Sequence, residues 1–322
     1  MVLLKLPPDA LECVLSMLST RNLQVVSCTC RSLRAACAHM PLHPVIRDLA
    51  MRAWLIQPAV SSRVLSLTAR MCLWGPCRFL ENLGVLRRLV VTFCRVHASI
   101  VRSLPTTLEH LELHRIEGRY GDAFFTSRLG HLHRLHTLKL TFTHHWDLVV
   151  MGDLDKLPLR RLTVRLAQAI IIRTPLAIQT VILHAVSALV TPFEILSENL
   201  SLRCDEGRVA YDVALTPRSA ARVRNLSLHS PLRTTVPYLS SMRALESLSL
   251  TFDSASVSVY HLSGLPRLAR VVLDTKYGVA VTGAQACLPS RVRVLASVAG
   301  VPLSDGETRA LFYGSSTCAC SP

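Results

Sequence analysis

The chain has 322 residues, half of them apolar and 18% charged, which is enough apolar surface for a sizeable core and excludes a disordered chain. Aromatic residues make up only 5%, a balance that suits a core of small repeated layers better than one built on a few ring anchors. Lys and Arg number 36 against 21 Asp and Glu, and the net charge of +15 favours acidic partners at low salt.

The elements start with a helix. Leu11, Val14, Leu15 and Leu18 fall at i, i+3, i+4 and i+7, behind Pro7 and Pro8, with Asp9 and Glu12 matching the positive N-terminal dipole. Ser19 or Thr20 caps a second helix that carries Leu23 and Val26 inward, and a third from Cys30 presents Leu33 and Cys37. Three helices this short bury too little to stand alone, so residues 1–40 must lean on a partner or on the rest of the chain. Residues 41–60, with Pro41, Pro44 and Trp54, read as a linker.

Beyond it the period changes to a recurring Leu-x-x-Leu-x-Leu. The clearest copies are Leu108, Leu111, Leu113; Leu135, Leu138, Leu140; and Leu245, Leu248, Leu250. Substituted copies begin at Leu86, Leu159, Ile178, Val223 and Leu268, and weaker ones place Leu65 and Leu67 after Ser62, Leu200 and Leu202 after Ser197, and Leu295 and Ser297 after Val292. Their spacing averages about 23 residues, within the range of leucine-rich repeats. Each unit is too small to hide its own leucines, so the units must stack as a parallel array. The spacing also runs backwards through Leu80 and Leu83, Leu129 and Leu132, and Leu239 and Met242, as a helix or 3₁₀ turn behind each strand requires. The slot that holds Asn in regular repeats is filled here by residues such as Cys94, Ile116, Thr143, Ala167, Val186 and Asp205, so the array should be irregular and frayed between Ile178 and Asp205. Thr174 to Phe193 is long enough to span a membrane and has no charge, but Pro175, Pro192, Gln179 and His184 and the repeat register argue for strand. Ser304 and Glu307 can form a capping box over a short helix through Leu311 and Phe312, so residues 301–322 read as a cap and tail.

The stretch from Leu6 to about Ala38 resembles the F-box, the helical module that docks on the Skp adaptor of SCF ubiquitin ligases. Leu6, Pro7, Asp9, Leu11, Val14, Leu15, Leu18, Leu23, Val26, Cys30 and Arg31 carry the likeness, whereas Thr29 stands for a usual aliphatic residue and Leu33 for a common Trp. An F-box followed by leucine-rich repeats is similar to the substrate receptors of those ligases. The resemblance implies an α/β chain: a three-helix F-box-like module (1–40), a linker (41–60), a curved leucine-rich-repeat solenoid of about eleven irregular repeats (61–300) and a cap (301–322). It also implies a non-catalytic subunit whose partners are a Skp-type adaptor, a cullin scaffold and a protein target, with no membrane or nucleic acid among them. Adaptor binding would fall to Leu6, Pro7, Asp9, Leu11, Val14, Leu15, Leu18, Leu23, Val26 and Arg31. The alternative is a leucine-rich-repeat scaffold or a basic nucleic-acid-associated binder with no ligase role.

Variable positions between the leucines face the concave side of such an array, and in the middle copies they are basic: Arg88, His110, His114, Arg115, Lys139, Arg161, Arg165, His184 and Arg203. They would form a groove for an acidic or phosphorylated target, or else be solvated strand residues. His131, His133, His136, His144 and His145 cluster without zinc spacing, as do Cys28 with Cys30, Cys72 with Cys77, and Cys318 with Cys320, so no metal and no cofactor is expected. Asn199-Leu-Ser and Asn225-Leu-Ser fit a glycosylation sequon, but without a secretory signal they read as strand residues. The odd number of cysteines, 11, and the lack of a signal pattern over residues 1–16 point to cytoplasm or nucleus. Lysines are only Lys5, Lys139, Lys156 and Lys276; GC-rich coding, as in a viral genome, explains that bias, and so does protection of a receptor from its own ligase.

Overall fold

The computed structural model describes residues 7, 10–11, 14–15, 17–38, 40–46, 54–69, 78–95, 101–117, 123–143, 148–205, 208–209, 214–230, 236, 238–252, 255–258, 262–276, 279–282, 288 and 291–308. It is a mixed α/β chain, mostly strands with few helices. Two compact units divide it: Met1–Gly118 with Arg128–Thr143 and Lys156–Pro158, and Arg119–Ser127 with His144–Asp155 and Leu159–Pro322.

In the first unit residues 10, 11, 14 and 15 are helical, with the Leu11 amide bonded to the Pro7 carbonyl at 2.9 Å. Met17 and Leu18 are turn and bend rather than helix, with amides bonded three residues back to Val14 and Leu15, so the expected stripe loses Leu18; residues 12, 13 and 16 lie outside the described residues, and two helices of this module are fully bounded. Ser19 caps α1 (Thr20–Ser27), accepting from the Asn22 amide and leaving Leu23 buried. In α2 (Arg31–Ala38) Leu33 and Cys37 are buried four residues apart, as one helical stripe requires. Strands follow at once. β1 (Val45–Ile46) pairs in parallel with β2 (Ser66–Ala69), so ordered pairing begins inside the segment expected to be a linker. Next come β3 (Arg88–Arg95) and β4 (His110–Glu117), each parallel to its predecessor.

The register corrects the first repeat. Leu67 lies opposite Leu89 and Ala69 opposite Val91, so the buried triplet is Val64, Leu67 and Ala69 rather than one starting at Ser62. Leu89, Leu111 and Leu138 line up across β3, β4 and β6 (Thr137–Phe142), β5 (Ala123–Phe125) belonging to the second unit. All three are fully buried, and alternate residues of β6 are partly exposed, which is the period-two signature of a half-buried strand. Behind β3 a 3₁₀ turn (Arg78–Asn82) buries Leu80 and Leu83, as the backward leucine spacing requires. Each strand is started by one carbonyl that accepts two amides: Arg87 takes those of Glu109 and His110, and Glu109 takes those of His136 and Thr137.

The second unit repeats this order. β7 (Leu148–Met151) lies between β5 and β8 (Arg161–Ile172). After β9 (Leu176–Ala177), β8 pairs with β10 (Thr180–Val190), and β10 in turn, after β11 (Ile195–Leu196), with β12 (Asn199–Cys204); the short β13 (Arg208–Val209) pairs with the far end of β10. β14 (Asn225–Ser230) and β15 (Ser247–Phe252) continue the order, and after β16 (Ala255–Ser258) come β17 (Arg270–Thr275), β18 (Val279–Thr282), β19 (Arg293–Val298) and the antiparallel β20 (Val301–Pro302).

Two expectations change here. The segment from Ile178 to Asp205 is not frayed; β8 and β10, at 12 and 11 residues, are the longest strands among the described residues. Its short repeats need fewer residues because the back of each holds a strand pair, β9 with β11, instead of a turn of helix, and a strand advances about 3.3 Å per residue against 1.5 Å. The last repeat is also displaced by one residue: Val271 faces Val294 and Leu273 faces Ala296, so Leu295 points outward at 37% exposure. The uncharged stretch from Thr174 to Phe193 is β9, β10 and their connections, and among the described residues no helix is long and apolar enough to cross a membrane.

Candidate functional site

Three places carry candidate function. The first is the N-terminal module. Leu6 and Asp9 lie outside the described residues. Of the other expected adaptor residues, Leu15 and Leu23 are buried within the chain, Leu11, Val14, Leu18 and Val26 are half-buried, and Pro7 and Arg31 are exposed. Leu15 and Leu23 therefore hold the module together rather than offer themselves to a partner. The sequence stripe missed two apolar side chains left in water: Met17 at 81% exposure and Val25 at 61%. Val25 stands next to the half-buried Val26, a neighbour that the helical stripe alone would discard.

Arg63 fixes this module to the strands. Its guanidinium donates from Nε and Nη2 to the Met40 carbonyl at 3.0 and 2.7 Å and from Nη2 to the Cys37 carbonyl, at the C-terminal end of α2. A cation is favoured there by the negative end of the helix dipole. The His43 amide donates to Thr20 Oγ1 of α1 at 3.0 Å, and the His43 ring meets Ser66 of β2 at 2.7 Å. Burial pushes the Cys37 thiol up, only partly offset by the nearby Arg63 charge, so it stays a neutral core thiol. Nothing in the leucine pattern pointed to Arg63, because its partners are backbone carbonyls.

The second place is the variable face of β3, β4 and β6 in the first unit. Arg88, His114 and Lys139, expected to be free basic groups, converge on Glu112 at 2.8, 3.3 and 3.5 Å. Burial pushes the Glu112 carboxyl up, but Lys139, His114 and Arg88 outweigh it and hold it below the usual carboxylate range. His110 is half-buried at the start of β4. Arg115 is not in the alternating series at all: its backbone is left-handed (φ 53°), the register shifts beside it, and Ile116 takes the buried place.

The third is the equivalent face of β8, β10, β12 and β14. Asp205 receives His184 Nε2 at 2.7 Å and Arg203 Nε at 2.6 Å, with His229 Nε2 at 3.6 Å. Burial raises the Asp205 carboxyl, and bonding to His184 and Arg203 more than reverses this, so its pKa is lowered. Burial first and Arg203 second push the His229 ring down, towards the neutral form. Five of the nine expected basic groups thus stand around Glu112 and Asp205: Arg88, Lys139 and His184 reach the carboxylate from a neighbouring strand, whereas His114 and Arg203 lie two residues from it along the chain. Arg161 and Arg165 on β8 are exposed and have no ion pair among the described residues.

His131 bonds the Leu104 carbonyl at 3.1 Å, and no grouping that could hold a metal occurs among the described residues. His144, His145, Cys72, Cys77, Cys318, Cys320, Leu311 and Phe312 lie outside them. Asn199 and Asn225 form a side-chain ladder on neighbouring strands at 2.6 Å, with Asn199 also bonded to Thr180 at 3.2 Å.

Residues 3–44 match the F-box domain family, so the N-terminal module supports an F-box protein. F-box domains bind the Skp adaptor within SCF complexes and link substrates to that ligase. Comparison of the chain with curated proteins gives no match.

Proposed function

We propose that this chain is the substrate-recognition subunit of an SCF-type ubiquitin ligase, working in cytoplasm or nucleus without catalysis of its own. The observation that carries the reading is the F-box match over residues 3–44 on a module that leaves Met17 and Val25 in water. Exposed apolar side chains of that size favour a covering partner. On this reading Pro7, Met17, Val25 and the half-buried Leu11, Val14 and Leu18 meet the adaptor, together with Leu6, Asp9 and Arg31. Parallel strands in successive register, with Leu or Val aligned at most of the buried positions, support a leucine-rich-repeat array that displays a protein target. Arginine in place of lysine supports a GC-rich, viral coding source.

The test is co-expression with a Skp adaptor and cullin. The intact chain should recover both, and Leu6→Ala with Pro7→Ala, or deletion of residues 1–40, should lose both. Recovery of neither by the intact chain would leave the scaffold reading in its place.

A further inference from the structure

A cleft of about 450 Å3 runs across the starting edges of five successive strands of the second unit. Thr180, Asn199, Asn225, Ser247 and Arg270 are mutual register partners on β10, β12, β14, β15 and β17. The residues three positions before them are Ala177, Leu196, Arg222, Ala244 and Arg267, and all five line the cleft. The repeat therefore builds one trough from one equivalent position. Its lining holds three guanidiniums, Arg222, Arg224 and Arg267, against one carboxylate, Glu198. Arg224 is drawn 3.8 Å from Glu246, whereas Arg222 and Arg267 are exposed and have no ion pair among the described residues.

The geometry points to a binding site for an extended acidic peptide, with acidic groups three residues apart. Neighbouring parallel strands lie about 4.8 Å apart, so Arg222 and Arg267, two strands apart with Ala244 between, are separated by about 10 Å. A polyproline II chain advances about 3.1 Å per residue and returns to the same face every third residue, so carboxylates or phosphates at i and i+3, about 9 Å apart, reach both guanidiniums at once. Ala244 leaves room for the residues between them. Ala177 and Leu196 continue the trough as an apolar floor for small side chains beyond the acidic pair. Nucleic acid would not need this spacing, because its phosphates follow one another without a three-residue gap.

The assignment deepens the substrate-receptor reading and rests on it for its biological role, but its test involves no adaptor. The full chain is titrated, at low salt, with a fluorescent peptide containing Glu-Ala-Ala-Glu, with one containing adjacent Glu-Glu, with Lys-Ala-Ala-Lys, and with a twelve-residue oligothymidylate. A phosphoserine version of the first peptide separates phosphate from carboxylate as the preferred acidic group. The spaced acidic peptide should bind best, and Arg222→Gln with Arg267→Gln should weaken it at least tenfold. Arg102→Gln with Arg134→Gln, two exposed arginines of the first unit, should leave it unchanged, and Arg222→Lys with Arg267→Lys should retain most of the binding because the charge remains. Thermal melting by circular dichroism checks that each variant is folded. No binding of either acidic peptide, equal binding by the Gln pair, or tighter binding of oligothymidylate would overturn the assignment, and adaptor recovery would stand in each case.

Discussion

Replacing Arg63 by Met keeps the length of the side chain and removes its guanidinium from the end of α2. Wild-type Arg63 supplies donors to two backbone carbonyls, those of Met40 at 3.0 and 2.7 Å and of Cys37. A hydrogen bond from a charged donor contributes about 1.5–3 kcal/mol when its acceptor is otherwise unsatisfied. Arg63 is half-buried and borders a cleft of about 210 Å3, so water can reach the vacated acceptors and recover part of that loss. The net cost to the local stability of α2 should be roughly 2–3 kcal/mol for both acceptors together. Native-state hydrogen exchange reads it directly: amides of Arg31–Ala38 should exchange about 30 to 140 times faster, at about 1.4 kcal/mol per factor of ten. Arg63→Lys, a point charge without the fork, should fall between the two proteins. Exchange in α2 that is unchanged by Arg63→Met would refute the account of how the F-box region is fixed to the strands.

Asp205→Asn should remove an acid-sensitive contribution. The folded Asp205 carboxyl titrates below its unfolded value, so its stabilisation is present above about pH 4 and is lost as pH falls through the folded pKa. The melting temperature of the wild type should therefore drop more steeply below pH 4 than that of the variant; parallel curves would contradict this. Leu166 holds a left-handed backbone (φ 61°) on a bulge and is 37% exposed. Leu166→Gly should leave the melting temperature equal or higher, while Leu166→Val should cost about 1 kcal/mol or more, measured by urea unfolding. Leu138→Ala, at a fully buried register position, should cost about 2–5 kcal/mol, and Leu295→Ala well under half as much, which checks the displaced register of the last strand.

The strands of the middle repeats were legible because burial of every second residue leaves a mark in composition: Leu111 and Leu113, or Leu248 and Leu250, can be read without coordinates. The first and last repeats were placed wrongly for the same reason. Ser62 and Leu65 imitate the pattern two residues early, and Val292 and Leu295 imitate it one residue late, where only backbone pairing with Leu89 or Val271 decides. The F-box stripe was legible by helical spacing at Leu11, Val14 and Leu15, whereas Leu18 falls in the bend that follows. Leu23 was expected to face inward and is buried, but helical spacing alone did not separate the buried Leu15 from the half-buried Leu11 and Val14. Charge was the least legible feature. Arg88, Lys139 and His184 read as free basic groups one at a time, and their pairing with Glu112 and Asp205 follows from register across strands more than 20 residues apart.

The most direct test of the central claim is a titration of purified chain with a purified Skp adaptor, comparing the wild type with Met17→Asp and Val25→Asp combined. Both side chains are exposed, so the variant should fold and melt like the wild type. The account predicts saturable wild-type binding that weakens at least tenfold in the variant, because two charges would have to be buried in the contact. Absence of adaptor binding by the folded wild-type chain would contradict it.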